Sequence, residues 1–318
     1  MEQILSAFHV LSERSFSCAG TTIETRGDSL LTGLQDCLYR LCYTRPFAGT
    51  FLPGTPSSDA DPELLEALQA ANASRTIYES GWWIEQTHES GKVLASRDGV
   101  TRWFLPGHFL TDVGPGSAPA ENAPVTIRML HESTTEQPGF YRAFGETISH
   151  SGEYLHLLRF YWNVTLAGAP LLMSLLTQEL NRFQVPYLFK CGNQPRMYER
   201  IDAAVLYVDR RYYAITARII ASVYPRVAHV LEPATSLFTR RLAPGLGLAE
   251  DPVDNKSFGI SRCAILAETL RVCYEQKLET VEHRLAELEK QFRDRGIDPA
   301  RPYLNPGSTD RYDFPVLA

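Results

Sequence analysis

The chain has 318 residues, of which 44% are hydrophobic, 21% charged and 11% aromatic, an ordinary globular composition with length enough for one elaborate domain or two. Its formal net charge of -6 at pH 7 excludes a general nucleic-acid binder, because neutralising a phosphate backbone needs a surplus of cations. Local clusters of cations remain compatible with that balance.

The opening Met1-Glu-Gln-Ile-Leu-Ser lacks the basic region and apolar core of a secretory signal. No apolar run approaches the roughly 20 residues that span a bilayer, so a soluble, cytoplasmic protein without a membrane partner is expected. Leu30, Leu31, Leu34, Leu38, Leu41 and Cys42 recur at helical spacing and predict an amphipathic helix ending near Arg45-Pro46. A loop rich in Pro, Ser and Asp follows over Pro53–Pro62, and Pro62 then opens a short helix to about Ala71. Between residues 75 and 148, aromatic and β-branched segments (Ile77–Ile84, Val93–Ala95, Thr101–Leu105, Val125–Leu130, Phe140–Phe144) alternate with turn residues, the pattern of an antiparallel β-rich region. Its most flexible-looking loop is Gly114–Pro124.

From Tyr154 the pattern is mixed: strand 154–164, helix 168–183, strands 186–191 and 202–208, helix 211–224, then a loop through residue 256. The last strong element is a long helix over 259–295, with charges at Glu275, Lys277, Glu279, Glu282, Arg284 and Glu287, ended by Gly296. Such a face is either solvated or packed on a partner. The tail from Asp298 is Pro-rich and irregular. Together these elements predict an α+β fold of mixed or antiparallel sheets with packed helices and a long C-terminal helix.

Six cysteines (Cys18, Cys37, Cys42, Cys191, Cys263, Cys273) form no Cys-x-x-Cys pair and lie far in sequence from any histidine pattern that would hold zinc. They read as buried thiols of a reducing compartment. No metal site, phosphate-binding Gly-rich loop or Gly-x-Gly-x-x-Gly is present, and no cofactor is indicated. The eight histidines form no Ser-His-Asp arrangement; His108 and His156 are the candidates for an acid.

The cations of the middle carry the chemical signal. In Arg159-Phe-Tyr-Trp-Asn163, period-two alternation sets Arg159, Tyr161 and Asn163 on one face and Phe160 with Trp162 on the other. The polar face is either the wall of a site or a solvated surface. Lys190 ends the apolar segment Val185–Phe189; in a pocket a lysine there can shed its proton and act as a base, and on a surface it is only a terminal charge. Arg196, Arg200, Arg240, Arg241 and Arg262 suit bidentate binding of an oxyanion, and each also suits a structural ion pair.

Arg159-Phe-Tyr-Trp-Asn163, Pro186-Tyr-Leu-Phe-Lys190, Tyr198–Tyr207, Phe238–Gly245, Ala249-Glu-Asp-Pro252 and Ser257–Arg262 resemble, in order and spacing, the HopA type III effector family. Stand-alone bacterial members of that family occur with class V lanthipeptide and thioamitide biosynthesis, where a separate phosphotransferase-like kinase phosphorylates a ribosomal precursor peptide. The resemblance implies the lyase of such a pair, converting phosphoserine or phosphothreonine to dehydroalanine or dehydrobutyrine without metal or organic cofactor. It further implies residues 1–148 as a helical and β-rich region for peptide or partner recognition and 149–318 as the lyase region. In that scheme Lys190 is the base, His156 or Tyr161 the acid, and Arg159, Arg196, Arg200, Arg240 and Arg262 hold the phosphate. Better-known phosphothreonine lyases place a Lys and a His two apart on one strand, whereas Lys190 is followed by Cys191 and Gly192, so no motif names the acid. The competing expectation is a non-catalytic peptide-binding or scaffold partner of the kinase; a host-directed effector is a third.

Overall fold

The computed structural model describes residues 1–25, 29–51, 59–113, 119–147, 156–254 and 256–316. A short helix α1 (Glu2–Ala7) leads into a small antiparallel sheet of β1 (Phe8–Ser12), β2 (Ser15–Cys18) and β3 (Thr21–Glu24). Helix α2 (Leu30–Leu38) starts where Ser29 Oγ accepts from the Thr32 N–H at 3.2 Å and runs into one π-helical turn, Tyr39–Tyr43. Helix α3 (Pro62–Ala71) begins as its sequence predicts, with Pro62 in the first turn and Asp61 accepting from the Leu64 N–H at 3.0 Å. Residues 53–58 and 114–118 of the two expected loops, and the start of the strand expected from Tyr154, lie outside the described residues.

The β-rich region folds as a five-stranded antiparallel sheet of β4 (Ile77–Thr87), β5 (Val93–Arg97), β6 (Val100–Phe104), β7 (Phe109–Thr111) and β8 (Pro124–Met129), in the order β6-β5-β4-β8-β7. It has a core of its own around Trp82, Ile84, Val93, Ala95, Phe104, Val125 and Ile127. The larger sheet is built from β9 (Glu132–Ser133), β10 (Phe140–Phe144), β11 (Leu157–Trp162), β12 (Leu188–Gly192), β13 (Ala204–Asp209), β14 (Arg240–Ala243) and β15 (Leu246–Glu250). Its order is β14-β15-β11-β13-β12-β10-β9, antiparallel throughout. The hairpin β14–β15 falls where the sequence reads as loop, because Ala243-Pro-Gly-Leu246 is a tight turn with Gly245 at φ 72° and its flanking runs are only four and five residues long.

Helices cover both faces of this sheet. Phe160 stacks on Tyr213 at the start of α5 (Tyr213–Val227), which packs with α4 (Ala169–Arg182). On the opposite face Tyr161 meets Tyr43 of the π turn and Phe258 of α6 (Phe258–Glu275). Residues between Ile4 and Leu68 share a single core with this sheet and its helices, so that core draws on chain from both sides of residues 148/149. The α+β class expected from sequence is the observed one.

The single long helix expected over 259–295 is two helices, α6 and α7 (Val281–Asp294). The break sits at Lys277, held at φ 56°, and Thr280 recaps the chain by accepting from the His283 N–H at 3.3 Å. Gly296, at φ 70°, ends α7 as expected. Not all of its charges are solvated: Arg284 donates to Leu5 O at 2.7 Å and Leu278 O at 3.0 Å, and Glu287 is buried. Among the described residues no helix is long and apolar enough to cross a membrane, and all six cysteines are buried free thiols.

The centre of the large sheet sets the fold's tolerance. Phe160 is 0% exposed between β13, β15 and Tyr213, so Phe160→Ala is expected to lower the unfolding free energy by about 3–5 kcal/mol in denaturant titration.

Candidate functional site

Antiparallel pairing puts directly opposed residues on the same face of a sheet. One row across the large sheet therefore reads Arg142, Lys190, Val205, Tyr161, and the neighbouring row reads Leu188, Tyr207, Arg159, Ala249. Towards α6 this face is closed by aromatic packing on Tyr161. Beyond it opens a cleft of about 670 Å³, walled on one side by Arg142, Lys190, Tyr207, Arg159 and Asp251 and on the other by Arg102, Trp103, His108 and Arg128 of the five-stranded sheet.

The large-sheet wall is organised around cations. Lys190 Nζ lies 4.3 Å from the Phe140 ring centroid and 5.7 Å from that of Tyr207, and the Arg159 guanidinium lies 5.1 Å from the Tyr207 centroid, contacts in which ring faces attract positive charge. Arg159 pairs with Asp251, and Arg142 with Glu136. Burial pulls the Arg159 guanidinium down, but the hydroxyls of Tyr161 and Tyr207 and the Asp251 carboxylate outweigh it and hold the group above its ordinary value. Arg159 is thus a fixed cation. Burial pushes the Asp251 carboxyl up, with Arg159 and Lys190 opposing it. Lys190 has no carboxylate within ion-pair distance among the described residues, and Arg142 Nε is buried without a hydrogen-bond partner there. Arg142 directly opposes Lys190 across β10 and β12. Like charges in that relation destabilise a sheet, and an anion bound between them would relieve the cost.

Of the residues expected from sequence, Arg159, Lys190 and His108 line the cleft. Tyr161 shares the face of Arg159 and Lys190 but is 3% exposed beneath Tyr43 and Phe258, where burial pushes its hydroxyl well above the usual tyrosine value. His156 is exposed and does not line the cleft. The other four arginines also lie outside it, each engaged by its surroundings. Arg196 donates to Gln194 Oε1 at 2.8 and 3.0 Å; Arg200 forks onto Asp202, both bonds 2.8 Å, and reaches the Tyr39 hydroxyl at 2.9 Å; Arg240 pairs with Asp310 at 2.9 Å. Arg262, 2% exposed, donates to Pro302 O at 2.7 Å and Leu304 O at 2.9 Å.

Arg142, Tyr207 and Lys256 are cleft residues that sequence reasoning did not select. A signal for Arg142 existed, since in Phe140–Phe144 it alternates with the buried Tyr141 and Ala143; the pairing that sets it beside Lys190 is not local. Among the described residues, no group of three or more His, Cys, Asp or Glu could hold a metal ion.

The model of the HopA1 effector protein family matches residues 131–304, a span containing β9 to β15 and the cation-bearing wall. Among solved structures, the chain is similar to the effector protein from Pseudomonas syringae pv. tomato strain DC3000, at 18% identity over 87% of this chain and 94% of that one, with a TM-score of 0.45. It is also similar to the effector protein from Pseudomonas syringae pv. syringae strain 61, at 16% identity over 85% and 88% of the two chains, with a TM-score of 0.42. No curated protein matches.

The contacts of Arg262 make it a structural cation. Arg262→Ala would strip two carbonyls of their charged donor, and an unfolding free energy lower by about 3 kcal/mol is expected in denaturant titration. Arg262→Lys is expected to recover only part of that loss, because one ammonium cannot reproduce the fork that spans both carbonyls.

Proposed function

This chain belongs to the HopA1 effector protein family, and from that premise we propose that it is a lyase that eliminates phosphate from phosphoserine or phosphothreonine in a peptide. The observation that carries this reading is the juxtaposition of Lys190 and Arg142, opposed in register on the cleft wall with Lys190 unpaired among the described residues. Arg142 and Arg159 bring two guanidinium groups to the same wall, and guanidinium groups suit a phosphate's fixed oxygen geometry.

In the proposed reaction the phosphate lies against Arg142 and Arg159, displacing part of their pairing with Glu136 and Asp251. Lys190, in its neutral form, takes the proton from Cα. The Cα–H electron pair becomes the Cα–Cβ double bond, and the Cβ–O bond breaks with its electrons leaving on phosphate. Dehydroalanine or dehydrobutyrine remains in the peptide, and the proton remains on Lys190. The guanidinium groups stabilise the charge that grows on the departing oxygen. Tyr207 and His108 line the cleft and are the groups that replace Tyr161 and His156 as candidate proton donors to it.

The substrate in this reading is a ribosomal precursor peptide of the class V lanthipeptide or thioamitide kind, phosphorylated by a separate kinase. The purified chain, given a synthetic phosphothreonine peptide without ATP or kinase, is expected to remove one phosphoric acid by mass, and an added thiol should trap the alkene. Lys190→Ala should slow that elimination by about 10²–10⁴-fold, the usual contribution of a general base, while the peptide still binds. Turnover retained in that variant would remove Lys190 as the base. Arg142→Ala should lower turnover by about 10²–10³-fold, as loss of one charge-stabilising donor does.

A further inference from the structure

A strand at the edge of a sheet carries a row of backbone groups that can pair with another chain, and most edges of this fold are blunted. β3, β7 and β9 have only four, three and two residues. β1 and β14 carry breaks in register, between Val10 and Ser12 and between Arg241 and Ala243. The outer strand β6 has neither device. Its residues Val100-Thr-Arg-Trp-Phe104 pair with β5 in unbroken register, with no Pro and no bulge. Val, Thr, Trp and Phe are all strong strand formers.

The turn before β6 fixes which of its backbone groups face outward. Asp98 at φ 50° and Gly99 at φ 80° make a two-residue type I′ connection. Its flanking residues Arg97 and Val100 are therefore a hydrogen-bonded pair, and alternation makes Ala95 with Arg102 and Val93 with Phe104 the next ones. The N–H and C=O of Thr101 and Trp103 are thereby turned to the open side of the strand. Among the described residues, neither takes a backbone hydrogen bond from outside the sheet, and both side chains are exposed. Three consecutive residues, Arg102, Trp103 and Phe104, line the cleft. Side chains alternate between faces along a strand, so the cleft meets the rim of β6 as well as one face.

We propose that β6 is a peptide-docking edge, a proposal that rests on the elimination reading above for the identity of the peptide. An extended segment beside the phosphorylated residue pairs with Thr101 and Trp103 as an added strand. These two residues offer two donors and two acceptors about 7 Å apart, the repeat of alternate residues in a strand. An extended backbone matches that row, and a small phosphorylated metabolite does not. Trp103, whose ring lies 4.6 Å from Lys92 Nζ, meets a side chain of the added strand, which favours an aromatic or β-branched residue there. The five-stranded sheet thus holds the substrate's main chain while the large sheet holds its phosphate.

The test is a backbone N-methyl scan of a fluorescein-labelled peptide with a central phosphothreonine between runs of Val and Thr. In anisotropy titration of the full chain, N-methylation at alternate residues on one side of the phosphothreonine should weaken binding about tenfold at each. That is the worth of one hydrogen bond left unmade. Methylation at the residues between them should leave binding unchanged. The unmethylated peptide should slow amide hydrogen exchange over residues 100–104 of the unaltered chain, which locates the added strand without a mutation. Thr101→Pro removes an outward N–H and no bond to β5, and should weaken the peptide by a similar factor. Absence of binding, a response to methylation without a period of two, or unchanged exchange over β6 overturns the proposal. Mass analysis of the same mixtures separates the two readings. Phosphate loss without the period-two pattern overturns edge docking alone, and the pattern without phosphate loss overturns the elimination reading alone.

Discussion

The alternation of β11 governs the rest of the molecule. Leu158, Phe160 and Trp162 are each fully buried, Phe160 against Tyr213 of α5, and a strand's period of two then fixes Arg159 and Tyr161 on the opposite face. A slip of one residue would exchange three core side chains for a guanidinium, a phenol and an amide, a change no packing could absorb. The hydrophobic demand of one face thereby positions the chemistry of the other. Because β13 and β15 flank β11 in fixed register, the same demand aligns Tyr207, Arg159 and Ala249, and through β12 it aligns Lys190 with Arg142.

The arginines outside the cleft act on it indirectly. Arg262 and Arg240 tie down the irregular tail through Pro302, Leu304 and Asp310. The tail in turn holds the end of β15: Asn305 donates its N–H to Glu250 at 2.6 Å and its side-chain amide to Asp251 O at 2.6 Å, and the Tyr312 hydroxyl bonds to the same glutamate. Asp251, so fixed, orients Arg159. A continuous set of polar contacts thus runs from Tyr312 and Asn305 to the cleft wall, and it explains why this Pro-rich segment without regular elements is packed.

The cleft wall runs against the usual preferences of a stable sheet. Two cations oppose each other across β10 and β12, and among the described residues one buried guanidinium donor, Arg142 Nε, has no hydrogen-bond partner. Such local costs persist where the surrounding core overdetermines the backbone, and they concentrate at functional sites. Glu136 and Asp251 each pair with one guanidinium group of the wall, which offsets part of that cost.

Much of the fold was legible because its signals are local. Helical spacing over Leu30–Cys42, Pro62 after Asp61, the apolar stripe of α4 and the alternation of Arg159–Asn163 each depend on neighbours in sequence. The family blocks likewise singled out Lys190 and Arg159. What the sequence could not rank was five similar arginines: Arg159 lines the cleft while Arg196, Arg200, Arg240 and Arg262 hold structure, because an arginine's role is set by which acceptors lie within reach. Those acceptors are far along the chain, as Asp310 is for Arg240 and Pro302 for Arg262. The hairpin β14–β15 was missed because short Gly-containing strands gain their identity from pairing with β11. Arg142 and Tyr207 entered the cleft by strand register alone. The sequence by itself determined the class of fold, most of its elements and the cationic character of its middle; tertiary structure decided which cations meet, since long-range pairing, not local pattern, brings strands together.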